Sequence, residues 1–162
     1  YRLTFPNANY WISKAQWNWA LHPNQQAKSS FLEENILPIK ESGHLNLIEN
    51  NLSFLPDVDL RLYRGHTDGM IIPFIHHNNN TIVYTCDLIP TAAHIHPSWV
   101  CGYDTRPLLS MKERNSFMEE AYNNNYVLFF EHDVYHECCT LKEAKKGYQA
   151  ERFFELKELA GE

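Results

Sequence analysis

"LRLYRGHTDGMIIPFI", residues 60–75, is the stretch whose reading decides the fold. Apolar and polar residues alternate up to Arg64, as in a half-buried strand, and Met70–Ile75 is a second apolar run. Gly65 and Gly69 suit the reversal between them. A reversal does not need an imidazole at its centre. His66 is therefore either a hydrogen-bonded turn residue or a ligand.

Reading outward, "MIIPFIHH", the turn "NNN" and "TIVYTCD" form a β-hairpin, with Pro73 expected at an edge or bulge. Upstream, "HLNLIE" alternates like a strand. "NANYWISKAQWNWAL" predicts a strand at Asn9–Ile12, then a helix capped by Ser13 with Trp17 facing inward. "KSSFLEENILPI" predicts a helix capped by Ser29 or Ser30, with Glu33 placed for a capping box and Pro38 at its end. Residues 88–107 are irregular and rich in Pro, His and aromatics, and a loop of that length is usually functional. "SMKERNSFMEEAYNNN" predicts an amphipathic helix capped by Ser110, with Glu113 three residues on. "YVLFF" is a short buried strand. "LKEAKKGYQAERFFEL" fits a terminal hairpin around Gly147, and its spacing also allows a partial helix. Helices, a run of strands, then helix and strand make an α+β or layered domain rather than a doubly wound one.

The 162 residues are 44% hydrophobic, enough for one domain with a real core, assigned to 1–162. The formal net charge of −6 is the opposite of what a phosphate-tracking protein shows, so nucleic acid is not expected as a partner. No apolar run is long enough to span a bilayer. Cys86, Cys101, Cys138 and Cys139 have no CxxC spacing and read as reduced thiols, for which a cytoplasmic setting is expected.

Three polar residues share one placement. His66, Asp87 and His132 each lie just past an apolar strand, where the sheet fixes the backbone and the loop frees the side chain. Two imidazoles and a carboxylate suit Zn²⁺, and also Fe or Mn.

With these motifs on the page, the sequence resembles the metallo-β-lactamase superfamily, and within it the lactonase-like and organophosphate-hydrolase-like branch. "GHTDGM" is similar to the family's Gly-His-Thr-x-Gly segment. "VYTCDLIPTAAHI" resembles its strand ending in an Asp. "MKERNSFMEEAYNNNYVLFFEHD" resembles its late helix and strand ending in His. The resemblance implies an incomplete αββα sandwich, this chain being the later, C-terminal portion of the domain. It implies that His66 serves a first metal, Asp87 bridges as the catalytic carboxylate, and His132 serves a second. It further implies one or two Zn²⁺ in the complete protein, bound weakly or not at all by this chain alone.

The family's His-x-His-x-Asp-His motif is absent from the 162 residues. "HIHPSW" at His94 offers His-x-His without the Asp-His, and it follows Asp87 instead of preceding Gly65. His76-His77 ends a strand. We therefore expect a later part of a longer protein, with Tyr1 just after the motif; the other reading is a variant that has lost it. An apolar sheet face would then lie uncovered, to be met by the absent portion or a second copy. From the resemblance, Ile89, His94, Trp99 and Tyr103 are expected to wall a small-molecule pocket, with Arg106 pairing a substrate anion. The expected activity is metal-dependent hydrolysis of an ester-like, lactone or phosphoester bond, this chain alone being inactive. The alternative is a non-catalytic module, and the acidic charge disfavours a nuclease.

Overall fold

A computed structural model describes residues 2–159. In chain order the elements are β1 (Tyr10–Ser13), α1 (Lys14–Leu21), α2 (Glu33–Glu41), β2 (Leu45–Ile48), β3 (Leu52–Leu55), β4 (Val58–Tyr63), β5 (Met70–His77), β6 (Asn80–Tyr84), α3 (Pro107–Asn123), β7 (Val127–Phe129), β8 (Cys138–Glu143) and β9 (Tyr148–Phe154). Short 3-10 turns occupy Cys86–Leu88, Ala92–Ile95 and Leu156–Leu159.

Strands β3 to β9 form one sheet in sequence order, and β1 with β2 forms a small parallel pair beside it. Neighbours in the large sheet are antiparallel except β6 and β7. A parallel pair cannot be joined by a tight turn, so the long loop and α3 make the crossover. The register assigns the two faces. Ile72, Phe74, Val83, Leu128 and Cys139 point to the face that α3 covers with Phe117, Met118 and Ala121. Val58, Leu62, Ile71, Pro73 and Ile75 point the other way and are half-buried. β1 lies against β5 on part of the sheet. The adjacent Cys138 and Cys139 alternate to opposite faces, each fully buried and each a free thiol. Among the described residues no helix is long and apolar enough to cross a membrane.

Four local expectations change. Pro73 is neither at an edge nor at a bulge but inside β5, opposite Leu60. The His76 amide donates to Asp57 on the β4 side, so alternation aims the nitrogen of residue 73 towards β6, where the β5–β6 ladder has just ended at Phe74. The missing N–H costs no bond there. Ser29 and Ser30 do not cap α2; it starts after Leu32 with no side-chain cap, and Glu33 and Glu34 favour its first turn through the helix dipole. Pro38 sits within that helix, which runs on to Glu41. Ser110 is a buried residue inside α3, whose start is set by Pro107 at the first helical position. Ser13 does cap α1, accepting from the Gln16 amide at 3.0 Å. The tail is a hairpin, β8 to β9, closed by Ala144 N–H to Gly147 O across a positive-φ Gly147.

Glu113 does different work from a capping box. Its carboxylate accepts from the Arg64 amide at 2.9 Å and the Gly65 amide at 2.9 Å, tying α3 to the turn after β4. Glu113→Ala leaves both amides without that acceptor and is expected to cost about 1–2 kcal/mol. An unchanged urea midpoint would show that water replaces the carboxylate fully.

Candidate metal centre

The turn after β4 presents His66, the turn after β6 presents Asp87, and the segment after β7 presents His132. These side chains meet. His66 Nε2 lies 3.2 Å from Asp87 Oδ2, and His132 Nε2 lies 3.3 Å from Asp87 Oδ1. One carboxylate thus turns each oxygen to a different imidazole. His66 is held from behind as well: its Nδ1 lies 3.0 Å from Asp104 Oδ1, whose side chain is 3% exposed. An ionised carboxylate only accepts, so Nδ1 carries the proton and Nε2 faces the cavity.

The backbone fixes this arrangement. Buried Thr85 donates its hydroxyl to Ile89 O at 2.8 Å and its amide to Phe129 O, locking the end of β6 beside β7. Cys86 follows with φ of 46°, a left-handed conformation unusual for a side chain with a Cβ. Its thiol donates to Ile71 O at 3.4 Å, where β6 no longer pairs with β5. Asp133 accepts from the amides of Ala92, Tyr135 and His136, and the His132 amide donates to Pro90 O, so the segment carrying His132 is stapled to the loop after Asp87.

Electrostatics follow the contacts. Burial favours neutral His66, but the hydrogen bonds and charges of Asp104 and Asp87 outweigh it and raise the imidazole to about 9. The hydrogen bond from His66 holds Asp87 below the usual carboxylate range against burial, helped by the charges of His66 and His132. Both shifts have one source. Asp87 demands positive charge, which a proton on His66 or a divalent cation would meet, and the two compete for Nε2. Burial, then the charges of Glu131 and Asp87, push the Cys86 thiol up to about 12, so it stays protonated.

The three side chains line a cavity of about 550 Å³, with Glu131, Tyr103, Phe31, Met70 and Ile71. Of the residues expected to wall a pocket, only Tyr103 lines it among the described residues. Ile89 is fully buried in the core under α3. His94 Nδ1 is 2.8 Å from Thr91 Oγ1, and burial, then the charge of Arg114, holds its ring below the ordinary imidazole value. Trp99 is exposed beside His96. Arg106 pairs with Asp68 at 3.3 Å on a neighbouring hollow. Ile89, His94, Trp99 and Arg106 therefore lie away from this cavity, where the loop folds against α3. Buried Arg114 holds it there, donating to the carbonyls of Pro97 and Trp99.

Two site residues were not singled out from sequence. Asp104 stands in "CGYDT", 38 residues from His66, and no local pattern links them. Glu131 stood in "EHD" beside a noted residue. A second donor group is His66, Cys101 and Asp104, and a cation on Nδ1 there would replace the Nδ1–Asp104 bond. Asp104→Asn is expected to lower divalent-cation affinity about 10–100-fold by releasing the His66 ring; affinity within two-fold of the parent chain in calorimetric titration would remove Asp104 from the site.

A mixed sheet with its helix on one face, its strand ends carrying His, Asp and His, is the metallo-β-lactamase-like fold, present here in part. No family model matches the sequence, and no curated protein does. Solved structures do. A probable metal-dependent hydrolase from Staphylococcus aureus superposes with a TM-score of 0.81 at 24% identity, covering 95% of this chain and 56% of that one. AidC, a dizinc quorum-quenching lactonase, gives 0.74 at 21% identity, covering 95% and 58%. AbOPH, a hydrolase of the beta lactamase superfamily, gives 0.76 at 19% identity, covering 93% and 57%. The chain therefore spans just over half the length of the structures it matches.

Proposed function

We propose that this chain is the site-bearing later part of a metal-dependent hydrolase acting on an ester-like, lactone or phosphoester bond. The observation that carries the reading is the Asp87 carboxylate, one oxygen 3.2 Å from His66 and the other 3.3 Å from His132. The donor set fits a divalent cation on either side of Asp87, with Zn²⁺ the first choice and Fe or Mn compatible. Bound there, such a cation supplies Lewis acidity and a water acidic enough to attack at neutral pH.

The chain's own residues do the rest. Asp87 would offer one oxygen to a cation on each side and offset its charge, and Asp104 fixes the His66 ring. Phe31, Met70, Ile71 and Tyr103 give the cavity apolar walls that suit a small, mostly apolar substrate. The lactonase and hydrolase names of the similar structures support that substrate class. The remaining donors, of the His-x-His-x-Asp-His type, are to come from outside these 162 residues, carried by a portion that packs against the half-buried sheet face.

The absence of that motif from the sequence also favours a second reading, a non-catalytic module that keeps the fold for association. Metal analysis with an ester, lactone and phosphotriester panel, run on the polypeptide extended upstream of Tyr1 by its own coding sequence, separates them. Bound metal and turnover support the hydrolase; metal-free, inactive protein supports the module.

A further inference from the structure

β6 and β7 are parallel and in register, Tyr84 opposite Phe129, so their C-terminal ends lie side by side. Asp87 comes three residues after one end, and Glu131 and His132 come two and three residues after the other. The result is a compact set: a carboxylate oxygen of Asp87, one of Glu131 and a ring nitrogen of His132 all lie within 4.8 Å of one another. Glu131 and His132 face solvent, which leaves the position open to an incoming ion.

The surroundings make this set different from an ordinary acidic surface. The cavity it shares with His66 is lined by no Lys or Arg among the described residues. Its two carboxylates therefore have imidazoles as their only lining partners of opposite potential charge. One of those, His66, is already engaged by Asp104 and by the far oxygen of Asp87. Glu131 remains, with a carboxylate oxygen within 4.8 Å of one on Asp87 and of a His132 ring nitrogen. On the His66 side the chain offers two donors, His66 and Asp87. On the His132 side it offers three.

We propose that Glu131 joins Asp87 and His132 as a third donor to one divalent cation, so that this chain holds a cation position of its own. The inference rests on the reading of Asp87 and His132 as ligands and extends it to a residue with no assigned role. One imidazole nitrogen and two carboxylates are a hard-leaning donor set, suited to Mn²⁺ or Fe²⁺ as well as Zn²⁺, with the remaining coordination positions open to water or substrate. This position fills first, and the His66 side fills once further donors are supplied. Exchange at the two positions would then differ, the His132 side holding its ion when the other is lost.

The test is titration of the 162-residue chain with Mn²⁺ alone, the free ion counted by its electron paramagnetic resonance signal. The parent chain is expected to bind one Mn²⁺. Glu131→Gln, which keeps the size and removes the charge, is expected to weaken binding roughly ten-fold or more. Glu151→Gln removes the same charge from an exposed site on β9 and is expected to leave binding unchanged. Circular dichroism checks that each variant is folded. Equal binding by Glu131→Gln and the parent overturns the inference and leaves the ligand reading standing, provided Asp87→Asn abolishes binding. An equal loss in Glu151→Gln would mean a diffuse field and would also overturn it. A parent chain that binds no Mn²⁺ at millimolar concentration overturns the self-sufficient position, while the extended polypeptide still decides the hydrolase reading.

Discussion

Gly65→Ala is expected to destabilise the chain by about 3 kcal/mol or more, a large part of the stability of a domain this size. A Cβ at residue 65 would sit 2.3 Å from the Ser110 amide nitrogen and 2.4 Å from its Cα. Both are backbone atoms in the first turns of α3, so no rotamer change relieves the clash. The turn and the helix must separate, and three sets of contacts go with them. Glu113 loses the amides of Arg64 and Gly65, Arg106 N–H loses Gly65 O, and Thr105 loses His66 O. The last two position Asp104 behind His66, so the site should loosen with the fold. Gly102→Ala is the control: a Cβ there meets nothing within 4 Å. Chemical denaturation compares them, and a Gly65→Ala midpoint equal to that of Gly102→Ala would show that α3 does not pack as closely as described.

How much of this is legible from residues alone depends on the range of the contact. Strand ends are local: an alternating run followed by Gly-His, Cys-Asp or Glu-His places a polar side chain at the lip of a sheet. His66, Asp87 and His132 were visible for that reason. Their convergence needs the β6–β7 pairing, which the crossover pattern of loop and helix implies. Asp104 needs the loop to return across 38 residues to the turn after β4, and no periodicity encodes that. The placement of the expected wall residues has a related cause. Arg114, buried at 3% exposure, draws the loop's carbonyls down onto α3, leaving Trp99 exposed beside His96 and Ile89 buried in the core. The start of α3 differs from the serine-capped expectation because a better signal lies upstream. Pro107, with its fixed φ and no amide to satisfy, outweighs a serine three residues later. Pro73 shows the converse: it tolerates a strand interior where the neighbouring ladder stops.

The largest functional effect is expected at Asp87. Asp87→Asn preserves the shape of the side chain but replaces one oxygen with an amide donor and removes the charge. The carboxylate now turns one oxygen to each imidazole. An amide can present its single oxygen to one of them, and its NH₂ faces the ring nitrogen or cation on the other side. Both halves of the centre therefore fail together, whereas Asp104→Asn releases one ring and leaves the bridge. Loss of divalent-cation affinity on the order of a hundred-fold, about 3 kcal/mol, is expected, and with it the hydrolysis proposed for the extended polypeptide. Thermal unfolding with and without cation reads this directly. An ion that binds the folded chain at a hundred times its dissociation constant adds about 2.7 kcal/mol of stability. The parent chain should show that upward shift in melting temperature, and Asp87→Asn should not. A variant that keeps the full shift would place the cation elsewhere and detach the two imidazoles from any common role.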